Sequence, residues 1–147
     1  MSAYRKILAA VDGSPASNKG LREALRLAKR EGARLCLVHV VNEFYAFAAF
    51  DGPAPVDLVP ALREGGRQIL AKARAMADKA GVRCTLAMRE TIGGPAADAI
   101  VREARKQRAD LIVLGTHGRR GVRRLVMGSD AEQVVRTSPV PVLLVRA

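Results

Sequence analysis

The sequence predicts an α/β protein built on one doubly wound, five-stranded parallel sheet of order 3-2-1-4-5, flavodoxin-like or Rossmann-like, with helices on both faces. Three observations carry that expectation. Short apolar runs alternate with segments of helical period through all 147 residues. Hydrophobic residues make up 49% of the chain but aromatics only 3%, so Ala, Val, Leu and Ile must build the core. That is the composition of a parallel sheet wrapped by helices. Finally, the runs at 7–11, 35–41 and 111–114 are apolar throughout, as expected of strands covered on both faces.

The elements follow in order. Lys6–Val11 is the first strand, and Asp12-Gly13-Ser14-Pro15 turns it into a helix with Ser14 as cap and Pro15 at the first helical position. This helix, 15–31, repeats Leu21, Leu25 and Ala28 and stops at Gly32. Leu35–Val41 is the second strand, and after a loop Asp57–Ala80 forms a long helix ending at Gly81. Val82–Arg89 is the third strand. Its alternation of Val82, Cys84, Leu86 and Met88 with Arg83, Thr85, Ala87 and Arg89 suits a half-exposed edge. Gly94-Pro95 opens a helix to about Arg108, Leu111–Leu114 is the fourth strand, Ser129–Thr137 a last helix and Val140–Val145 a last strand. No linker or repeat interrupts the pattern, so one domain, 1–147, is expected, and right-handed crossovers set the strand order.

In such a sheet, ligands bind at the carboxyl ends of the strands where the order reverses, here between strands 1 and 4. The most informative motif falls there: Gly115-Thr116-His117-Gly118, nine residues, then Gly128-Ser129 at the start of a helix. Glycines let a backbone approach an oxyanion closely, and the loop amides and helix dipole attract it. Ser129 would cap the helix or bond a phosphate oxygen. No Gly-Lys-Ser/Thr follows, so this is not a Walker A loop. The topology brings Asp12 to the same crevice.

Other classes are disfavoured. No apolar stretch approaches the roughly 20 residues of a membrane span. No signal-peptide pattern precedes the first strand, and Cys36 and Cys84 read as reduced strand thiols, so a cytoplasmic protein is expected. The formal net charge of +11 favours anionic partners, but the helical Lys and Arg residues lack interleaved aromatics, which argues against sequence-directed nucleic-acid binding. No His/Cys cluster suggests a structural metal.

The chain resembles the universal stress protein family over its whole length. The resemblance rests on Lys6-Ile-Leu-Ala-Ala-Val-Asp-Gly-Ser14, Leu37-Val-His-Val40, Gly94-Pro-Ala96 and the Gly115-x2-Gly118-x9-Gly128-Ser129 signature of its ATP-binding branch. It implies adenine-nucleotide binding, frequent dimerisation and a role in survival under stress. It also implies that Ala10, Val11 and Val40 line the adenine side, and that Asp12 sits near the ribose or the metal–phosphate group. Leu114, Gly115, His117, Gly118, Gly128 and Ser129 would form the ribose and phosphate side. Asp130 departs from the family's apolar residue and, at the second helical position, is expected to favour the dipole and point outward. Mg²⁺ would arrive with ATP, held by the phosphates and Asp12.

Each residue has a plainer reading beside this one. Asp12 suits a turn, His39 a strand core, and His117 either a nucleotide contact or an exposed loop. Arg119, Arg120, Arg123 and Arg124 lie between the glycine pairs and would either contact phosphate, with Arg119 foremost, or form a solvated basic loop. Phe44, Tyr45, Phe47 and Phe50 crowd the loop after strand 2, as a lid, a partner patch or a flap packed on the second helix. No catalytic residue stands out. A stress-response regulatory or sensor module with little turnover is expected, the alternatives being a slow ATP hydrolase or a nucleotide-free dimeric interaction module. The strand Val140–Val145, apolar on both faces at a sheet edge, is the expected homodimer contact.

Overall fold

A computed structural model describes residues 2–91, 93–117 and 127–146. The elements are β1 (Lys6–Ala10), α1 (Pro15–Glu31), β2 (Arg34–Asn42), α2 (Glu43–Ala48), α3 (Leu58–Ala80), β3 (Cys84–Thr91), α4 (Ala96–Gln107), β4 (Leu111–Gly115), α5 (Ser129–Thr137) and β5 (Val142–Val145). The five strands form one parallel sheet in the order β3-β2-β1-β4-β5, as the sequence predicts.

Small residues on the helices explain the close layering. Leu21, Ala24, Leu25 and Ala28 of α1, with Leu70, Ala73 and Ala77 of α3, bury one face of the sheet against Ile7, Ala9, Leu35, Leu37, Leu111 and Val113. The opposite face packs Leu8, Val38, Ile112 and Leu114 against Ala97, Ile100, Val101 and Ala104 of α4 and Ala131 and Val134 of α5. The helix ends follow their residue chemistry. Ser14 caps α1 by accepting the Ser17 N–H at 3.2 Å, and Gly32 and Gly81 close α1 and α3 with φ of 67° and 74°.

Several boundaries differ from the sequence reading. Val11 lies beyond β1, although its N–H still donates to the Val38 carbonyl at 2.8 Å. Asp57 precedes α3 rather than opening it, and β5 begins at Val142, after Pro141, which has no N–H to give the ladder. Part of the aromatic loop is the short helix α2, capped by Asn42, whose Oδ1 accepts the Tyr45 N–H at 3.4 Å.

The edge strand β3 also departs from simple alternation. It starts two residues after Val82, and Ala87, expected to face solvent, is buried under α4, while Leu86 is 38% exposed. The reason is an ion pair on the α4 side. Glu103 of α4, its side chain 1% exposed, accepts two hydrogen bonds from the Arg89 guanidinium at 3.0 and 2.9 Å and one from Gln107 Nε2 at 3.2 Å. With both groups satisfied, α4 can close over this face of β3.

Burial pushes the Glu103 carboxyl up, but the hydrogen bonds from Arg89 and Gln107 and the Arg89 charge outweigh it, and its pKa lies below the ordinary glutamate value. A lowered folded-state pKa gives stability that is present above the unfolded value and is lost as pH falls through the folded one. Glu103→Gln is therefore expected to cost about 1–3 kcal/mol at neutral pH. Chemical denaturation across pH should show that deficit shrinking below about pH 4, as the wild type protonates; a deficit independent of pH would contradict the assignment.

Candidate functional site

The candidate site grows from a contact between backbones. Where β4 ends, a Cβ on Gly115 would lie 2.6 Å from the carbonyl carbon of Ala16 and 2.7 Å from its oxygen. One turn further along α1, a Cβ on Gly20 would stand 3.2 Å from the Gly115 nitrogen and 3.3 Å from the Leu114 carbonyl carbon. The first turns of α1 thus ride directly on the end of β4. Glycine is required here for close approach rather than for an unusual φ.

This contact holds the turn that precedes α1 beside the exit of β4. Asp12 Oδ1 accepts the Ser14 N–H at 2.9 Å, and the Asp12 N–H donates to Ser17 Oγ at 3.0 Å. Gly13 completes the turn at φ 81°, a conformation that side chains resist. The turn role foreseen for Asp12 is therefore real, and its carboxylate is held in place at the carboxyl edge of the sheet.

The second wall is the β4–α5 connection. The Thr116 N–H donates to the Val145 carbonyl at 3.0 Å, and the Gly128 N–H donates to the Thr116 carbonyl at 2.6 Å. The two ends of the glycine loop are thereby tied together. Thr116 Oγ1 lies 3.1 Å from His117 Nδ1. Gly118 and Arg119, with Arg120, Arg123 and Arg124, lie outside the described residues.

Gly128, not Ser129, occupies the cap position of α5, in extended conformation (φ −61°, ψ 153°) and with no side chain to bond the first turn. That corrects the expectation that Ser129 caps the helix. Ser129 is the first helical residue and is exposed, and Asp130 is the second, as its place in the sequence implies. The amides of Ser129, Asp130 and Ala131 have no acceptor within the helix, as at any α-helical start, and carry the positive end of its dipole.

A third group forms the apolar side. Ala10 and Val40 are partly buried on the same face as Leu114 and Met127, against the second core. Val11 is buried in the first core instead. Its carbonyl accepts from His39 Nδ1 at 2.8 Å, so that nitrogen carries the hydrogen. A Cβ on Gly66 of α3 would meet His39 Cδ2 at 2.8 Å and the Met88 sulfur at 2.9 Å. His39 is the core residue the sequence suggests, packed beneath the glycine of a neighbouring helix.

Two features were not legible beforehand. Asn42, two residues beyond Val40, buries its Nδ2 without an acceptor, a cost of about 1–3 kcal/mol. Nothing in an Asn at a strand end signals this. The aromatic residues are also more open than a packed flap would be: Phe44 is 57% and Phe47 43% exposed, and the Phe44 and Tyr45 rings meet edge to face with 5.6 Å between centroids. Among the described residues, no group of three or more His, Cys, Asp or Glu side chains is placed to hold a metal, and no helix is long and apolar enough to cross a membrane.

The chain was compared with known proteins. The model of the universal stress protein family matches residues 3–146. A universal stress protein of Methanocaldococcus jannaschii is 35% identical over 144 residues, covering 97% of this chain and 82% of its own. A solved member of the family from Burkholderia pseudomallei is 34% identical with a TM-score of 0.78, covering 100% of this chain and 99% of its own. A universal stress protein solved in complex with cAMP is 26% identical with a TM-score of 0.68, covering 99% of this chain and 98% of its own.

The backbone contact predicts a sharp contrast between glycines. Gly115→Ala should destabilise the fold by about 1–3 kcal/mol, because backbone rather than a movable side chain blocks the new methyl group. Gly65→Ala, on α3 with nothing within 4 Å of its Cβ, should instead stabilise by about 0.5–1 kcal/mol. Urea unfolding of both variants checks this, and a neutral Gly115→Ala would remove the basis of the site's geometry.

Proposed function

We infer that this chain, which belongs to the universal stress protein family, binds an adenine nucleotide at the carboxyl edge of β1 and β4 and serves as a regulatory or sensor module of a stress response. The observation that carries this reading is that the Asp12 turn follows β1 while the Gly128–Thr116 hydrogen bond ties the start of α5 to the end of β4, the strand next to β1. The start of α5, whose first amides have no acceptor within the helix and whose cap residue makes no side-chain hydrogen bond, supports an anion there. The family member solved with cAMP supports an adenine ligand.

ATP with Mg²⁺ is the proposed ligand, in keeping with the glycine spacing of the family's ATP-binding branch. The phosphates would lie on the amides of Ser129–Ala131, with Gly115, Gly118 and Gly128 admitting the chain close to them, and Leu114, His117 and Arg119 alongside. Ala10 and Val40 would border the adenine, while Val11, buried in the first core, would support them from behind, and a ligand acceptor reaching Asn42 Nδ2 would recover its missing hydrogen bond. When bound, Mg²⁺ would neutralise phosphate charge, and Asp12 would be the carboxylate that helps to hold it. Asp130, acidic in the first turn of α5, would favour its dipole and point away from the phosphates.

These residues would position the nucleotide and shield its charge. Turnover is therefore proposed to be slow or absent. The working unit is proposed as a single domain, 1–147, acting in the cytoplasm as a homodimer. Its contact would be β5, whose outer edge has no neighbouring strand in the sheet.

Calorimetry with Mg²⁺–ATP tests the reading. The wild type should bind one nucleotide per chain, and Gly118→Val and Gly128→Val should each weaken binding by at least about tenfold, the equivalent of about 1.4 kcal/mol. Hydrolysis should stay below about 1 s⁻¹. Unchanged affinity in both folded variants would refute the cradle, and faster turnover would make the protein an ATP hydrolase. Light scattering at micromolar concentration should give a dimer; a monomer would refute the β5 contact.

A further inference from the structure

At the opposite, amino end of the sheet, three neighbouring strands begin with a cation in the same register. Lys6 of β1 pairs with Arg34 of β2. Arg83, immediately before β3, accepts the Leu35 N–H on its carbonyl at 3.0 Å and so lies alongside Arg34. Strand alternation places all three side chains on the face of Leu8, Cys36 and Ala87. Neighbouring strands are about 4.8 Å apart, so the row spans about 10 Å.

Like charges directly across a sheet repel and destabilise it, and this row has little to neutralise it. The cleft it borders has a volume of about 610 Å³. Arg74 of α3 lines it as a fourth cation, and Asp78 is the one carboxylate among the described residues that line it. Asp110, next to the row, is occupied by the backbone N–H groups of Arg5 and Lys6, at 2.9 and 3.2 Å. Lys6 Nζ donates to the Gln107 carbonyl at 3.4 Å. Among the described residues, Arg34, Arg74 and Arg83 form no ion pair. The floor includes buried Ile7 and Leu35.

We propose that this cleft is a second ligand site, separate from the carboxyl edge, that takes a small molecule carrying two or more phosphate groups. Guanidinium forks match phosphate oxygens in pairs, and Arg34 and Arg83, with Lys6 beside them, line the cleft from one face of the sheet while Arg74 of α3 lines it from the other. The volume falls in the small-molecule range of roughly 300–1,000 Å³. Among the described residues no aromatic side chain lines it for base stacking, which favours a small oligophosphate over single-stranded nucleic acid. The thiols there take no part: burial raises both Cys36 and Cys84 above the ordinary thiol pKa, leaving them protonated at neutral pH.

Inorganic tripolyphosphate is the probe, titrated into the ¹⁵N-labelled protein at physiological salt and followed by amide shifts and calorimetry. Sub-millimolar binding should move the amides of Lys6, Arg34, Arg83 and Thr85. The double variant Arg34→Ser/Arg83→Ser should weaken that binding by at least about tenfold, since two of the guanidinium forks are lost. Relieved of the repulsion, the ligand-free double variant should melt higher than the wild type. Shifts confined to Gly115 and its neighbours, or unchanged affinity in the double variant, would overturn the proposal. So would amide shifts at the amino edge that a single-stranded oligonucleotide produces and tripolyphosphate does not.

Discussion

The structure depends on one close approach, the backbone of α1 at Ala16 and Gly20 lying against the backbone of β4 at Leu114 and Gly115. A side chain at Gly115 would push the helix off the sheet and carry the Asp12–Ser14 turn away from the crevice. The same contact lets Ala24, Leu25 and Ala28 reach the strands behind it and seal the first core. Interiors are packed tightly enough that such a displacement cannot be absorbed locally. The site is therefore a consequence of packing, and two glycines in different elements make it possible.

The two ends of the sheet treat negative charge differently. At the carboxyl edge the groups on offer are amides at a helix start, partial charges fixed by the fold and needing no counter-ion. At the amino edge they are full charges on long side chains, aligned by strand register and short of acids. The first arrangement costs the folded protein little. The second is a strain on it, relieved only when an anion arrives.

Strand order and helix faces were legible because period and apolar runs report burial directly: the strands at 35–41 and 111–114 are covered on both sides. The Gly115–Gly128 spacing likewise marked the loop whose ends prove to be bonded together. What escaped was whatever depends on a partner distant in sequence. Ala87 reads as outward until Glu103 of α4 draws in Arg89. Val82 reads as strand, yet the β2–β3 ladder begins only at Leu35 and Cys84. α2 is too short to show a helical period, and the Asn42 amide is orphaned by surroundings that its neighbours in sequence do not reveal. The cation row is invisible for the same reason, since Lys6, Arg34 and Arg83 meet only through register.

A crystal structure of the protein with Mg²⁺ and a non-hydrolysable ATP analogue tests the central claim most directly. The account predicts the phosphates on the amides of Ser129–Ala131, beside Asp12, with the adenine against Ala10 and Val40 and α1 still seated on Gly115. A nucleotide bound elsewhere, whether in the amino-edge cleft or on the outer surface of the helices, would contradict it.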